Sequence, residues 1–253
     1  MNHLGWTIVT VIGIAVLPAV VQRGAADPKD GSEASVDVEP LLTVVCFGDS
    51  LTGHRPGEKY QGDYLKYSDL LGLMLEARLG VKRVRMINSG WAGDRTTPRP
   101  SEGWPGAIKR AGADILEHEP DLAIVLIGGN DRPETGQEMK QLEDNLHAIA
   151  RQVSDADIRL LLLTYPPPLP APEHEDKGWP LDRANPAIRA VAGRLNLPIL
   201  EMGPPMQAAA QKHGRGSLVD ARDGVHLRPR GEMVFARAIY SRLDALGWIE
   251  EPD

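Results

Sequence analysis

The chain has 253 residues, 42% of them hydrophobic and 25% charged, with a net charge of -7 and one cysteine. An acidic balance with both signs interspersed lacks the basic face that a nucleic-acid partner requires. One cysteine excludes an intramolecular disulfide and a cysteine-rich zinc centre, and a chain this long can bury a core without either.

The chain opens with an apolar run, Leu4 to Val21, followed by Arg23, the small residues Gly24-Ala25-Ala26 and the polar Asp27-Pro28-Lys29-Asp30. This order fits a secretory signal peptide over residues 1–26, cleaved after Ala26. The run is also long enough to remain as an uncleaved signal anchor, and Met1-Asn2-His3 supplies no Lys or Arg ahead of it. Either way the rest of the chain is expected to be exported, periplasmic or secreted, with the N-terminal segment as its only membrane contact. Residues 27–40 are polar and aperiodic, as a disordered linker would be. The catalytic domain is expected over residues 41–250.

From Leu41 onward, strand-like and helix-like stretches alternate. Leu41 to Phe47 is a short apolar run, as a buried parallel strand should be, and it makes Cys46 a buried small hydrophobe rather than a reactive thiol. Tyr67 to Leu79 carries leucines at helical spacing, with Gly80 at the capping position. Val84 to Ile87 reads as a second strand, Ala107 to Glu117 as a helix that Pro120 ends, and Leu122 to Ile127 as a third strand. Thr135 and Glu138 have capping-box spacing ahead of a helical stripe from Met139 to Val153. Ile158 to Thr164 reads as a fourth strand. A proline-rich loop over Tyr165 to Pro186 suggests a stiff rim to a pocket. Then come a helix around Ile188 to Leu195, a fifth strand over Leu197 to Met202 and a final helix over Arg230 to Leu246. Such alternation implies a five-stranded parallel sheet in doubly wound, flavodoxin-like order, with helices on both faces and ligands at the carboxyl ends of the strands.

Four polar segments fall at that edge. Gly48-Asp49-Ser50-Leu51-Thr52 follows the first strand, Asn88-Ser89-Gly90-Trp91-Ala92-Gly93-Asp94 the second and Gly128-Gly129-Asn130-Asp131 the third, while Asp223-Gly224-Val225-His226 precedes the last helix. A serine hydroxyl needs an adjacent base to become a nucleophile. Imidazole suits that task near neutral pH, and a carboxylate on its other nitrogen fixes the tautomer. A tetrahedral intermediate needs preset donors for its oxyanion, which a glycine amide and an asparagine side chain supply. Each segment alone is ordinary turn chemistry; their joint order at successive strand ends is not.

These four blocks resemble those of the SGNH (GDSL-type) hydrolases, over Thr43 to about Leu246. The resemblance implies a three-layer α/β/α fold and a serine esterase with Ser50 as nucleophile, Asp223 and His226 as the acid–base pair, and an oxyanion hole made of the Ser50 amide, the Gly93 amide and the Asn130 side chain. Gly93 is preferred to Gly90 because the family places its donor glycine some five residues after the asparagine that ends the strand. No metal or organic cofactor is implied. The expected partner is a small-molecule or carbohydrate ester, with deacetylation of carbohydrate favoured; a lysophospholipase or thioesterase, or an acyltransferase using the same acyl-serine, are the alternatives. An ordinary α/β-hydrolase would require Gly-x-Ser-x-Gly, which Thr52 breaks. His174-Glu175-Asp176 lacks the second histidine of a zinc-protease helix. A glycan-binding relative without activity is disfavoured because Ser50, Asn130, Asp223 and His226 are all present. Trp91, Trp104 and Tyr60 lie in loops of the active edge and fit either sugar stacking or packing.

Overall fold

The computed structural model describes residues 41–53, 64–169 and 179–250; the expected signal segment, the linker, Tyr60 and His174-Glu175-Asp176 lie outside them. Five parallel strands, β1 (Leu42–Gly48), β2 (Val84–Gly90), β3 (Leu122–Leu126), β4 (Arg159–Leu163) and β5 (Ile199–Leu200), form one sheet in the order β2-β1-β3-β4-β5. This is the doubly wound order that the alternation predicts. β1 is buried along its whole length because it sits between β2 and β3 and has helices on both faces. That explains why its sequence is apolar apart from Thr43.

The helices are α1 (Tyr67–Leu79), α2 (Ala107–Asp114), α3 (Gly136–Ser154), α4 (Asn185–Leu195), α5 (Gly203–His213) and α6 (Pro229–Ala245). One layer packs α1 against α6 and α6 against α5; the other packs α2 against α3 and α3 against α4. The buried stripe Leu142, Leu146, Ile149, Ala150 and Val153 turns α3 onto the sheet. Its start is the expected capping box: the Glu138 amide donates to Thr135 Oγ1 at 3.2 Å, and the Thr135 amide donates to Glu138 Oε2 at 2.9 Å. Cys46 is fully buried, and burial pushes its thiol up to about 12.

Three expectations need correction. The second strand runs on through Gly90, since pairing with β1 continues to Gly48↔Gly90. The fifth strand is limited to Ile199–Leu200, and Gly203-Pro204-Pro205 opens α5, a helix that the sequence pattern does not predict. Proline fits the first turn of a helix because its missing N–H has no partner there. Helix α5 buries only Met206 and is otherwise alanine and polar, so it carries no apolar stripe to betray it. The second helix stops at Asp114, and a 3-10 turn at Leu116–His118 continues the chain to Glu119, which takes a left-handed φ of 48°. Among the described residues no helix is long and apolar enough to cross a membrane.

Candidate active site

Because the sheet is parallel, the segments after β1, β2 and β3 all emerge at one edge, where the crossovers change direction between β1 and β3. The turn after β1 is built by Asp49. Its carbonyl accepts the Thr52 and Gly53 amides at 3.1 and 2.7 Å, and its Oδ1 accepts the Leu51 amide at 3.0 Å. Gly48 has no room for a side chain: a Cβ there would lie 2.5 Å from the Leu126 carbonyl oxygen. Ser50 is thereby presented at the head of the sheet.

The Asp223–His226 segment folds on itself. The Asp220 amide donates to the His226 carbonyl at 2.8 Å, the Gly224 amide donates to the Asp220 carbonyl at 2.9 Å, and Gly224 takes a left-handed φ of 71°. Asp223 divides its two oxygens between two tasks. Oδ1 accepts the backbone amides of Val225 and His226, at 2.9 and 3.0 Å, and Oδ2 lies 2.8 Å from the imidazole Nδ1. On the far side of the ring, Nε2 lies 3.0 Å from Ser50 Oγ. The carboxylate can only accept, so Nδ1 carries the proton and Nε2 is left to accept from the serine hydroxyl. Burial pushes Asp223 up, but the hydrogen bonds from the imidazole and the two amides outweigh it and hold the carboxyl below its usual range. Ser50, Asp223 and His226 each keep 7% exposure, so a small molecule can reach them.

Asn130 reaches the same place from the 3-10 turn Gly129–Asp131, which Gly128 enters at a φ of 112°. Its Nδ2 donates to the Asp94 carbonyl at 3.0 Å, and its second contact, to Asp49 Oδ2, is a long 3.5 Å. Of the two candidate glycines, Gly90 is committed to structure. Its amide donates to Asn88 Oδ1 at 3.0 Å, and a Cβ on it would lie 2.2 Å from the Gly53 nitrogen. Gly93 has a φ of 75° and open space around its Cα, its carbonyl accepts from Arg99 Nη2 at 3.1 Å, and its amide has no acceptor among the described residues.

Two buried networks that the sequence pattern does not reveal support these loops. The first is centred on Arg110 of α2. Its Nε donates to Asp94 Oδ2 at 2.7 Å, Nη1 to the Ser89 carbonyl at 2.8 Å and to Asp114 Oδ2 at 2.6 Å, and Nη2 to the Gly48 carbonyl at 2.7 Å. The guanidinium also lies 4.0 Å from the Phe47 ring centroid and 5.2 Å from that of Trp91. One side chain thus ties the strand end before Ser50 to the loop that holds Gly93, and Asp94 passes the tie on to Asn130. The second network is Tyr165, just beyond β4, whose hydroxyl donates to Asp49 Oδ2 at 2.6 Å. Burial pushes Asp49 up to about 6 despite the hydrogen bonds from Tyr165 and the Leu51 amide.

The aromatic residues divide. Trp91 and Trp104 meet edge to face, with centroids 6.1 Å apart, and each also stacks an arginine, so they pack against the protein. Trp179, from the proline-rich segment, instead meets His226 edge to face at 5.5 Å and keeps 38% exposure. Among the described residues no group of three or more His, Cys, Asp or Glu could hold a metal ion.

A serine, a histidine and an aspartate stand in hydrogen-bonded sequence at the carboxyl edge of a five-stranded α/β/α sheet, and comparison with known proteins identifies the family. The model of the GDSL-like lipase/acylhydrolase family matches residues 46–234, and the chain belongs to that family. It is therefore a serine carboxylic ester hydrolase by class. The fold is similar to that of Axe2, an acetylxylan esterase from Geobacillus stearothermophilus: TM-score 0.60, 18% identity, 81% of this chain and 95% of that one covered. It is likewise similar to LAE5, an alpha/beta hydrolase enzyme from the metagenome of Lake Arreo, Spain: TM-score 0.62, 23% identity, coverage 85% and 99%. No curated protein sequence matches the chain.

Proposed function

We propose that the protein is an exported esterase that works through an acyl-Ser50 intermediate and removes small acyl groups, acetyl foremost, from carbohydrate. The observation that carries this reading is the continuous chain from Ser50 Oγ to His226 Nε2 at 3.0 Å and from His226 Nδ1 to Asp223 Oδ2 at 2.8 Å. His226 takes the hydroxyl proton as Oγ attacks the carbonyl carbon. The resulting oxyanion is held by the Ser50 and Gly93 amides and by Asn130, whose Nδ2 exchanges its long contact with Asp49 for a charged acceptor. The bond to the alcohol then breaks, and the imidazolium protonates the departing oxygen. Water repeats the sequence on the acyl-serine, releasing the acid and restoring Ser50.

Export rests on the apolar segment ahead of Arg23 and the small residues up to Ala26. A carbohydrate ester is favoured by the activity of the acetylxylan esterase that shares the fold. The test is Ser50→Ala, assayed on p-nitrophenyl acetate and on acetylated xylo-oligosaccharide. Turnover of both should vanish while the circular dichroism spectrum is unchanged. Retained turnover in the alanine variant would overturn the mechanism; turnover of the aryl ester alone by the unaltered protein would overturn the substrate class.

A further inference from the structure

Arg132 is not used by the chemistry above, yet it stands two residues beyond Asn130 in an unfavourable state. Its backbone is left-handed, with a φ of 47°, a conformation that is unfavourable for a residue with a side chain. Its Nε is buried and makes no hydrogen bond, which adds the penalty of an unsatisfied buried donor. No carboxylate among the described residues pairs with it, although other arginines, such as Arg110, Arg183, Arg189 and Arg194, each have an acidic partner. The guanidinium instead lies over the Trp179 ring, 5.0 Å from its centroid, and the same ring meets the His226 imidazole edge to face. Strain and an unsatisfied donor persist where the surroundings enforce them, and they concentrate at sites that bind.

We propose that Arg132, stacked on Trp179, is an anion subsite for the alcohol part of the ester. The inference rests on the mechanism proposed above, because only there does the side of a substrate near the imidazole acquire an identity: His226 protonates the departing alcohol, so Trp179 and Arg132 border the alcohol rather than the acyl group. A guanidinium offers a rigid fork of donors matched to a carboxylate or a phosphate. On a half-buried indole it is partly desolvated, which strengthens a charged hydrogen bond over one made in open water. The substrate class is therefore an ester of an alcohol that carries an oxyanion, such as an acetylated uronate or a sugar phosphate.

Three matched aryl acetates test this: 3-acetoxybenzoate, 3-acetoxyphenyl phosphate and the neutral 3-acetoxybenzamide. The protein should favour at least one anion over the amide by about fivefold or more in kcat/KM, and the favoured anion distinguishes carboxylate from phosphate. Raising the salt to about 0.5 M should erode the preference. Arg132→Gln should abolish it, and Arg132→Lys should keep part of it. Should the glutamine variant fail to fold, the lysine variant and the salt series decide the matter in its place. Equal rates on all three esters, or a preference that survives Arg132→Gln, would overturn the subsite and leave the esterase intact. No turnover of any of them, nor of p-nitrophenyl acetate, would overturn both.

Discussion

Replacing Asp49 by Asn should change how the stability of the protein responds to pH. Asp49 is wholly buried, accepts from the Leu51 amide and the Tyr165 hydroxyl, and titrates near 6 rather than at the ordinary 3.8 because burial disfavours its charge. The folded state therefore holds this proton more tightly than the unfolded chain does. The stability so contributed is complete below the unfolded value and is lost as pH rises through the folded one. At about 1.36 kcal/mol per pKa unit, the loss amounts to about 3 kcal/mol, about 2 of which falls between pH 4.5 and 7. Asparagine has the same shape and does not titrate. Whatever constant cost it brings by placing an amide nitrogen opposite Asn130, the variant should gain on the parent by about 2 kcal/mol over that interval. Urea unfolding at a series of pH values reads the difference directly. Parallel stability curves for the two proteins would show that Asp49 does not hold its proton as argued.

Other outcomes follow from the same geometry. Asp223→Asn leaves the shape of the turn but removes the acceptor that keeps the proton on Nδ1, so kcat on p-nitrophenyl acetate should fall by about 10³- to 10⁴-fold with KM little changed. In the proposed mechanism Asn130→Ala takes away one oxyanion donor, so kcat should fall by about 10²- to 10³-fold in steady-state assays. Arg110→Met leaves the Asp94 carboxylate and two carbonyls without their donor in a buried place. Thermal or urea unfolding should register a loss of about 3–5 kcal/mol.

Most of the fold could be read from the sequence because its inner strands β1, β3 and β4 are buried on both faces. Runs such as Leu122 to Ile127 leave few alternatives, and the strand order follows from right-handed crossovers. What escaped had weak local signals. Helix α5 is alanine-rich with one buried anchor, Met206, and its proline start resembles a loop. The polar side chains of the candidate site could be placed because each lies within a few residues of a strand end or of the last helix. Its supports were harder to see. Arg110 sits on the buried stripe with Ala107 and Ala111, where a cation at helical spacing among small apolar residues was the available clue. Tyr165 and Trp179 act across more than a hundred and about fifty residues of chain respectively, and nothing in a single sequence couples them to Asp49 or His226. The proline-rich loop signalled a rim, but its composition did not say which of its residues would touch the imidazole.

The hairpin-like turn that carries both Asp223 and His226 has a mechanical consequence. Carboxylate and imidazole are wired together by the backbone amides that Asp223 Oδ1 also holds, so they form one prefabricated part. A shift of α6, to which that turn leads, would carry the pair as a body and leave the imidazole–carboxylate distance as it was. The adjustable gap among these three side chains is then the one between Nε2 and Ser50 Oγ, which bridges two segments 176 residues apart in the chain. Substitutions that loosen the packing of α6 against α1 and α5 should therefore register first as mistuned proton transfer from the serine, well before the histidine loses its partner.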